Sequence, residues 1–198
     1  MPRQAVPTQA HDSPPTRQQR VSSARPALLV ILLAVIATLL WPAAPASAAA
    51  CRYQYLAPSP TTYIKVGAAT RCLINEERTR HGRKALLASG QLRKAAQRHS
   101  LQMVRQGFFD HTGAGGSTLH SRVKHGTSYL ANARQYALAE NIAMSPRGHA
   151  TARQLVHQWM RSPGHRQNLL HPGFRHLGIG VAAGDAAASY TAVFGARS

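Results

Sequence analysis

Beyond residue 176 the apolar side chains fall on alternate positions, Leu177, Ile179 and Val181, with Gly178, Gly180 and Ala182 between them. The alternation returns over Tyr190 to Phe194, after a Gly184-Asp185 turn. A period of two specifies strands with one face toward a core, and the turn joins them as an antiparallel hairpin. The interleaved glycines strip one face of side chains, so a helix or another backbone can approach closely. The chain before this hairpin follows a longer period. Val66, Ala69 and Leu73 predict a helix over 66–80, ended by Gly82; Leu92, Ala96, His99 and Met103 predict a second over 89–106, ended by Gly107. Shorter helices are expected over 117–125 and 149–161, the latter burying Ala152, Leu155, Val156 and Trp159. The segment 127–135 has no clear period, and 136–142 is apolar on alternate or adjacent positions around Glu140. Helices first and strands last define an α+β chain, helices packed on a small sheet, in one domain with no internal repeat.

Residues 1–50 do not belong to that domain. Arg3, Arg17, Arg20 and Arg25 precede an apolar run from Ala27 to Trp41, and small residues follow to Ala50. This is the pattern of an export signal with a long polar start, cleaved after Ala48 or Ala50. The run is shorter than the roughly 20 residues a membrane helix needs, so a secreted protein is expected, with retention on the outer face of the cytoplasmic membrane as the alternative. In an oxidising compartment Cys51 and Cys72 form the single available pair, stapling segment 51–65 to the domain at 66–198; free thiols, or a lipidated Cys51, are the other readings. Without residues 1–50 the chain keeps 20 basic and 5 acidic side chains, a formal charge of +15. Such a surface attracts polyanions, including anionic cell surfaces. No zinc-finger spacing, aromatic-basic sheet motif or helix-turn-helix signal accompanies the charge, so nucleic acid is not the expected partner.

Three separated pieces carry side chains suited to chemistry. Ser162-Pro163 restarts a helix after Trp159, with Ser162 as its expected cap and His165 one turn in. The positive end of a helix disfavours imidazolium, so His165 is expected neutral, the form a metal or a general base requires. His111 follows Phe108 and Phe109, which are expected to anchor its loop beside a cleft. Glu140 sits among apolar neighbours, where a carboxylate needs His111, His165, a cation or an arginine. Two histidines and a glutamate form either a zinc site with an open position or a hydrogen-bonded relay without metal. Sequence separation leaves both open. Neither a His-Glu-x-x-His helix nor a Gly-x-Ser-x-Gly elbow is present. His99, on the apolar stripe of its helix, reads as a core histidine.

The order and spacing of Leu73-Ile-Asn-Glu-Glu-Arg78, His99-Ser100 with Met103, Phe108 to His111, Ala139-Glu-Asn-Ile142, Trp159 to Leu170 and Gly178-Ile-Gly-Val181 resemble the CAP superfamily. This superfamily comprises the cysteine-rich secretory, antigen 5 and pathogenesis-related 1 proteins, and the likeness, to its bacterial SCP-like form, spans residues 69–195. The resemblance implies an α-β-α sandwich with a small central antiparallel sheet and a cleft lined by two histidines and two acidic residues. His111, Glu140 and His165 take three of those places. Ser162 stands where the second acid is usual, which removes one metal ligand and one general base, and Ala139 stands where glycine is usual, a smaller change. The expected function is a monomeric secreted protein binding a lipid, a sterol-like molecule or a cell-wall fragment in the cleft of His111, Glu140, Ser162 and His165. Zinc or another divalent cation would bind weakly through His111, His165 and Glu140. The alternatives are a metal-assisted hydrolase of peptide or cell-wall material, with Glu140 as base, and a structural or adhesive envelope protein.

Overall fold

In a computed structural model of the chain, residues 51–198 are described; the expected export signal, residues 1–50, lies outside them. Helix α1 (Tyr63–Arg80) is followed by a two-residue strand, β1 (Leu87–Ala88), and helix α2 (Gly90–Gln106). A short helix α3 (Leu119–Gly126) leads to strand β2 (Tyr136–Pro146). Helices α4 (Ala152–Arg161) and α5 (Pro163–Leu170) precede the hairpin of β3 (His176–Ala183) and β4 (Ala187–Arg197).

The ends of the helices have local causes. The Ser89 hydroxyl accepts from Leu92 N at the start of α2, and Gly107 closes that helix with φ 65°, a left-handed conformation that glycine adopts at no steric cost. Thr151 and Gln154 form a reciprocal capping box at the start of α4. That box sets the start at Ala152 rather than at His149. Helix α1 begins earlier than its apolar stripe implies, at Tyr63, because the turn at Ser59 to Thr62 already feeds hydrogen bonds into it. Helix α3 starts at Leu119 because Thr118 supplies the cap.

The sheet has four strands in the order β1-β3-β4-β2. The expected hairpin forms its centre. To the expected antiparallel strands β1 adds a two-residue edge, parallel to β3 through Leu87↔His176 and Ala88↔Leu177. Segment 136–146 becomes the other edge, antiparallel to β4, with Glu140 opposite Val193 and Asn141 opposite Ala192.

Alternation along the strands divides the core into two layers. Leu177, Ile179, Tyr190, Ala192 and Phe194 face α1, α4 and α5 in one apolar cluster. Val193 faces α2 and α3 with Leu92, Ala95, Ala96, Val123 and Tyr129. On that second side Gly178 and Gly180 leave the sheet bare, and α2 lies directly on them: a methyl group on either glycine would collide with the α2 backbone at Arg93 or Ala96. The result is an α-β-α sandwich, as the resemblance implies.

Two further ties close the molecule. Cys51 and Cys72 form a disulfide with Cα atoms 5.8 Å apart; closing a loop of this length stabilises by about 3 kcal/mol in the chain-entropy view. Arg78, only 1% exposed, donates to the carbonyls of Lys84, Leu169 and His171 and so fastens α1 to the end of α5. Among the described residues no helix is long and apolar enough to cross a membrane.

Candidate functional site

Glu140 is the centre of the site. On β2 it points to the α2 side of the sheet, where its side chain is 3% exposed. A buried carboxylate must be paired, and here it is paired twice. His111 Nδ1–H donates to Oε1 at 2.9 Å. The Arg122 guanidinium donates to Oε1 at 3.0 Å and to Oε2 at 2.8 Å, a forked pair of charge-assisted bonds.

Arg122 comes from α3, and its second terminal nitrogen donates to the carbonyls of His111 and Ser117 at 2.9 and 2.7 Å. One guanidinium therefore holds both the carboxylate and the loop that carries His111. Beneath them lies His99, fully buried, with Nε2 donating to the Asp110 carbonyl at 3.0 Å and lying 3.9 Å from Glu140 Oε1. Burial pushes the His99 pKa below its usual value, against the opposing pull of Glu140; Arg122 and His111 add to the lowering. Phe108 packs on the His99 ring, at 6.1 Å between centroids. Phe109, expected as a second anchor, is instead 55% exposed.

Asn141, the next residue on β2, points to the opposite face by alternation. Its Nδ2 donates to the His165 carbonyl at 3.0 Å, and Asn168 Nδ2 donates to its Oδ1 at 2.8 Å. The Glu-Asn pair thus divides its work: Glu140 holds the His111 loop, and Asn141 holds the first turn of α5. The His165 pKa is lowered by burial first and by the charge of His111 second, which keeps its ring neutral near pH 7. The ring lies 6.3 Å from that of Trp159, and no hydrogen bond joins it to Glu140 or His111 among the described residues.

Ser162 sits at the junction of α4 and α5. Its backbone is that of an N-cap, yet its hydroxyl makes no capping bond, contrary to expectation. Pro163 at the first helical position has no N–H to satisfy and already fixes the helical φ, so the turn forms without it.

Of the expected set, His111 and Glu140 are joined directly, His165 is brought near by the Asn141 tether, and Ser162 is not drawn into the network. Among the described residues no group of three or more His, Cys, Asp or Glu is arranged to hold a metal ion. The donor set explains this: both Glu140 oxygens are taken by nitrogen donors, which leaves two imidazoles. His111 has Nδ1 bonded to Glu140, on a side chain that is 58% exposed. Arg122 is the member of the site that the sequence did not reveal. Among 20 basic residues nothing in its neighbourhood marks it, and the scarcity of acids says only that some arginine will meet Glu140.

An α-β-α sandwich with a Glu-Asn strand between a histidine loop and a helix that starts at Ser-Pro defines a family, and the chain belongs to it: residues 72–194 match the cysteine-rich secretory protein family, CAP. Its sequence is 37% identical to YkwD of Bacillus subtilis over 109 residues, 54% of this chain and 39% of that protein. It is 30% identical to the membrane protein YlbC of the same organism, over 55% of this chain and 29% of that one. The chain thus spans less than half the length of these curated relatives. Its structure is similar to an extracellular SCP-domain protein of Bacillus anthracis, with a TM-score of 0.56 at 28% identity, covering 69% of this chain and 43% of that one. An outer surface protein of Borrelia burgdorferi shares the fold with a TM-score of 0.55 at 20% identity, covering 65% of this chain and 90% of that one.

Proposed function

We propose that this is an exported CAP-domain protein that binds a small apolar or anionic envelope ligand, a lipid, a sterol-like molecule or a cell-wall fragment, at the His111 edge of the cleft. The observation that carries this reading is the double pairing of Glu140. Its charge is neutralised inside the protein and both oxygens are engaged, so it serves to orient His111 and is not a free base. What remains for a ligand is the exposed His111 imidazole, the half-buried His165 imidazole and the exposed Phe109 ring, a combination for recognising a polar head beside an apolar body. Export is supported by the leader pattern in residues 1–50, by the disulfide, and by the extracellular relative.

The same geometry supports a weak divalent-cation site made of His111 Nε2 and His165, with Glu140 accepting the other ring N–H of His111 in the manner that orients metal-bound histidines. Two neutral imidazoles suit zinc better than magnesium. The decisive experiment incubates the purified protein with envelope lipids and cell-wall fragments and identifies what co-purifies, for the unaltered chain and for H111A and H165A. Saturable retention that is lost in both variants is the expected result. Association that never saturates and disappears with salt, alike in all three proteins, would sink the reading. Zinc calorimetry on the same proteins is expected to show heat that H165A abolishes and that shrinks below about pH 6.5, where protons compete for free imidazoles.

A further inference from the structure

A concave site lined by none of His111, Glu140 and His165 lies at the free edge of β3. Strand β1 covers only the first two residues of β3. Past it, α1 on one face and α2 on the other extend beyond the sheet and enclose a groove of about 280 Å³, whose walls include Gly67, Ala68, Arg71, Arg93 and Ile179.

The backbone in this groove is partly paired. The Leu177 carbonyl accepts from Ser89 N at 3.0 Å, at the end of β1. Two residues past Ile179, the Gln97 side chain caps the edge as a strand would, donating to Val181 O at 2.8 Å and accepting from Val181 N at 3.1 Å. Main-chain groups alternate sides along a strand, so the Ile179 N–H and C=O point the same way, into the gap between those two pairings. Small residues line the approach: Gly67 has no side chain where it passes the Ile179 carbonyl. Arg71 and Arg93 are the charged residues among those that line it. All five carboxylates of the described residues point elsewhere: Glu76 and Glu77 to Arg80, Glu140 to Arg122, Asp185 to Arg147, and Asp110 to Thr112 N.

We propose that this groove takes the C-terminal tail of a partner polypeptide as an added strand on β3. The peptide unit pairs with Ile179 N–H and C=O, and the terminal carboxylate is held by Arg71 and Arg93. This occupant fits better than an alkyl carboxylate. An alkyl chain displaces water from both Ile179 groups and returns no hydrogen bond, whereas an extended peptide replaces both. The groove is narrow because two helices form its walls, which excludes a folded partner and suits an extended chain. Its charge selects the end of a chain over an internal segment.

The test uses the full-length chain and four probes: an acetylated tetrapeptide of alanine and valine with a free carboxylate, its all-D form, its C-terminal amide, and decanoate. Binding is followed by NMR titration. The free acid is expected to shift Ile179 and Arg71 resonances saturably, with the amide and the D-peptide weaker by about tenfold or more, the loss of a charge-assisted contact or of strand register. R71Q and R93Q should each weaken the acid and leave the amide unchanged. G67A is the folded control: its added methyl meets Ile179 at 3.6 Å, an ordinary contact, and fills the approach to the carbonyl. Native spectra with binding lost are expected for it. Equal affinity for acid and amide, binding indifferent to G67A, or decanoate binding more tightly than the peptide would overturn the proposal. None of these substitutions touches His111, Glu140 or His165, so failure here leaves the cleft reading standing.

Discussion

Arg122 and Glu140 illustrate how much depends on one pairing. Their side chains are 7% and 3% exposed, and the pair is closed by two hydrogen bonds. Removing one partner of a buried ion pair leaves the other charge without compensation, at a cost of about 3–5 kcal/mol. R122A is expected to lose that much in urea denaturation and also to release the His111 loop. E140Q keeps an acceptor for Arg122 and is expected to lose less, about 1–3 kcal/mol. A loss below about 1 kcal/mol in R122A would mean that the pair does not organise the site. The sequence marked Glu140 and His111 because acids are rare and aromatic residues flank the loop. It could not mark Arg122, whose significance arises only when α3 folds against β2. His99 was legible as a core residue through its helical stripe, but its approach to Glu140 depends on how far α2 sits over the sheet.

That distance is set by glycine. The alternation of Leu177, Ile179 and Val181 with Gly178 and Gly180 was readable as a hairpin with one bare face, and α2 occupies that face. Less was readable at the edges. Strand β1 is two residues long and exists only because β3 offers it an edge. Segment 136–146 lies at the other edge, where half-buried positions blur the alternation. The parallel pairing of β1 has no local signature at all. The two kinds of glycine predict opposite outcomes. In G180A the new methyl strikes the α2 backbone at Ala96 and Gln97, which cannot yield as a side chain can. The expected loss is at least about 3 kcal/mol, the upper end of overpacking costs, seen as a lower urea midpoint or an insoluble product. G67A, inside α1 and in ordinary contact, is expected to be neutral or to gain up to about 1 kcal/mol from helix propensity. Comparable stability of the two variants would show that α2 does not rest on the glycine face.

Among the described residues, three histidines on different elements are held toward their neutral form: His99 on α2, His165 on α5 and His176 on β3. Burial is the leading cause in each. For His165 the charge of His111 adds to it, and for His176, whose Nδ1 lies 2.9 Å from the Tyr129 hydroxyl, that of Arg197. A folded-state pKa below the unfolded value means that the unfolded chain binds protons the folded chain refuses. Stability is therefore insensitive to these groups well above about pH 6.5 and falls as the pH drops through that value toward each folded pKa. Asp110, whose pKa the Thr112 N–H holds down, loses its contribution only in stronger acid. Urea midpoints measured at about pH 7.5, 6.5, 5.5 and 5.0 are expected to decline steadily below the second point, spanning the histidine range. H99Q keeps a polar side chain but removes one titrating group and should flatten the decline. A midpoint constant across the series, or one that rises in acid, would show that these rings enter the folded state without resisting protonation.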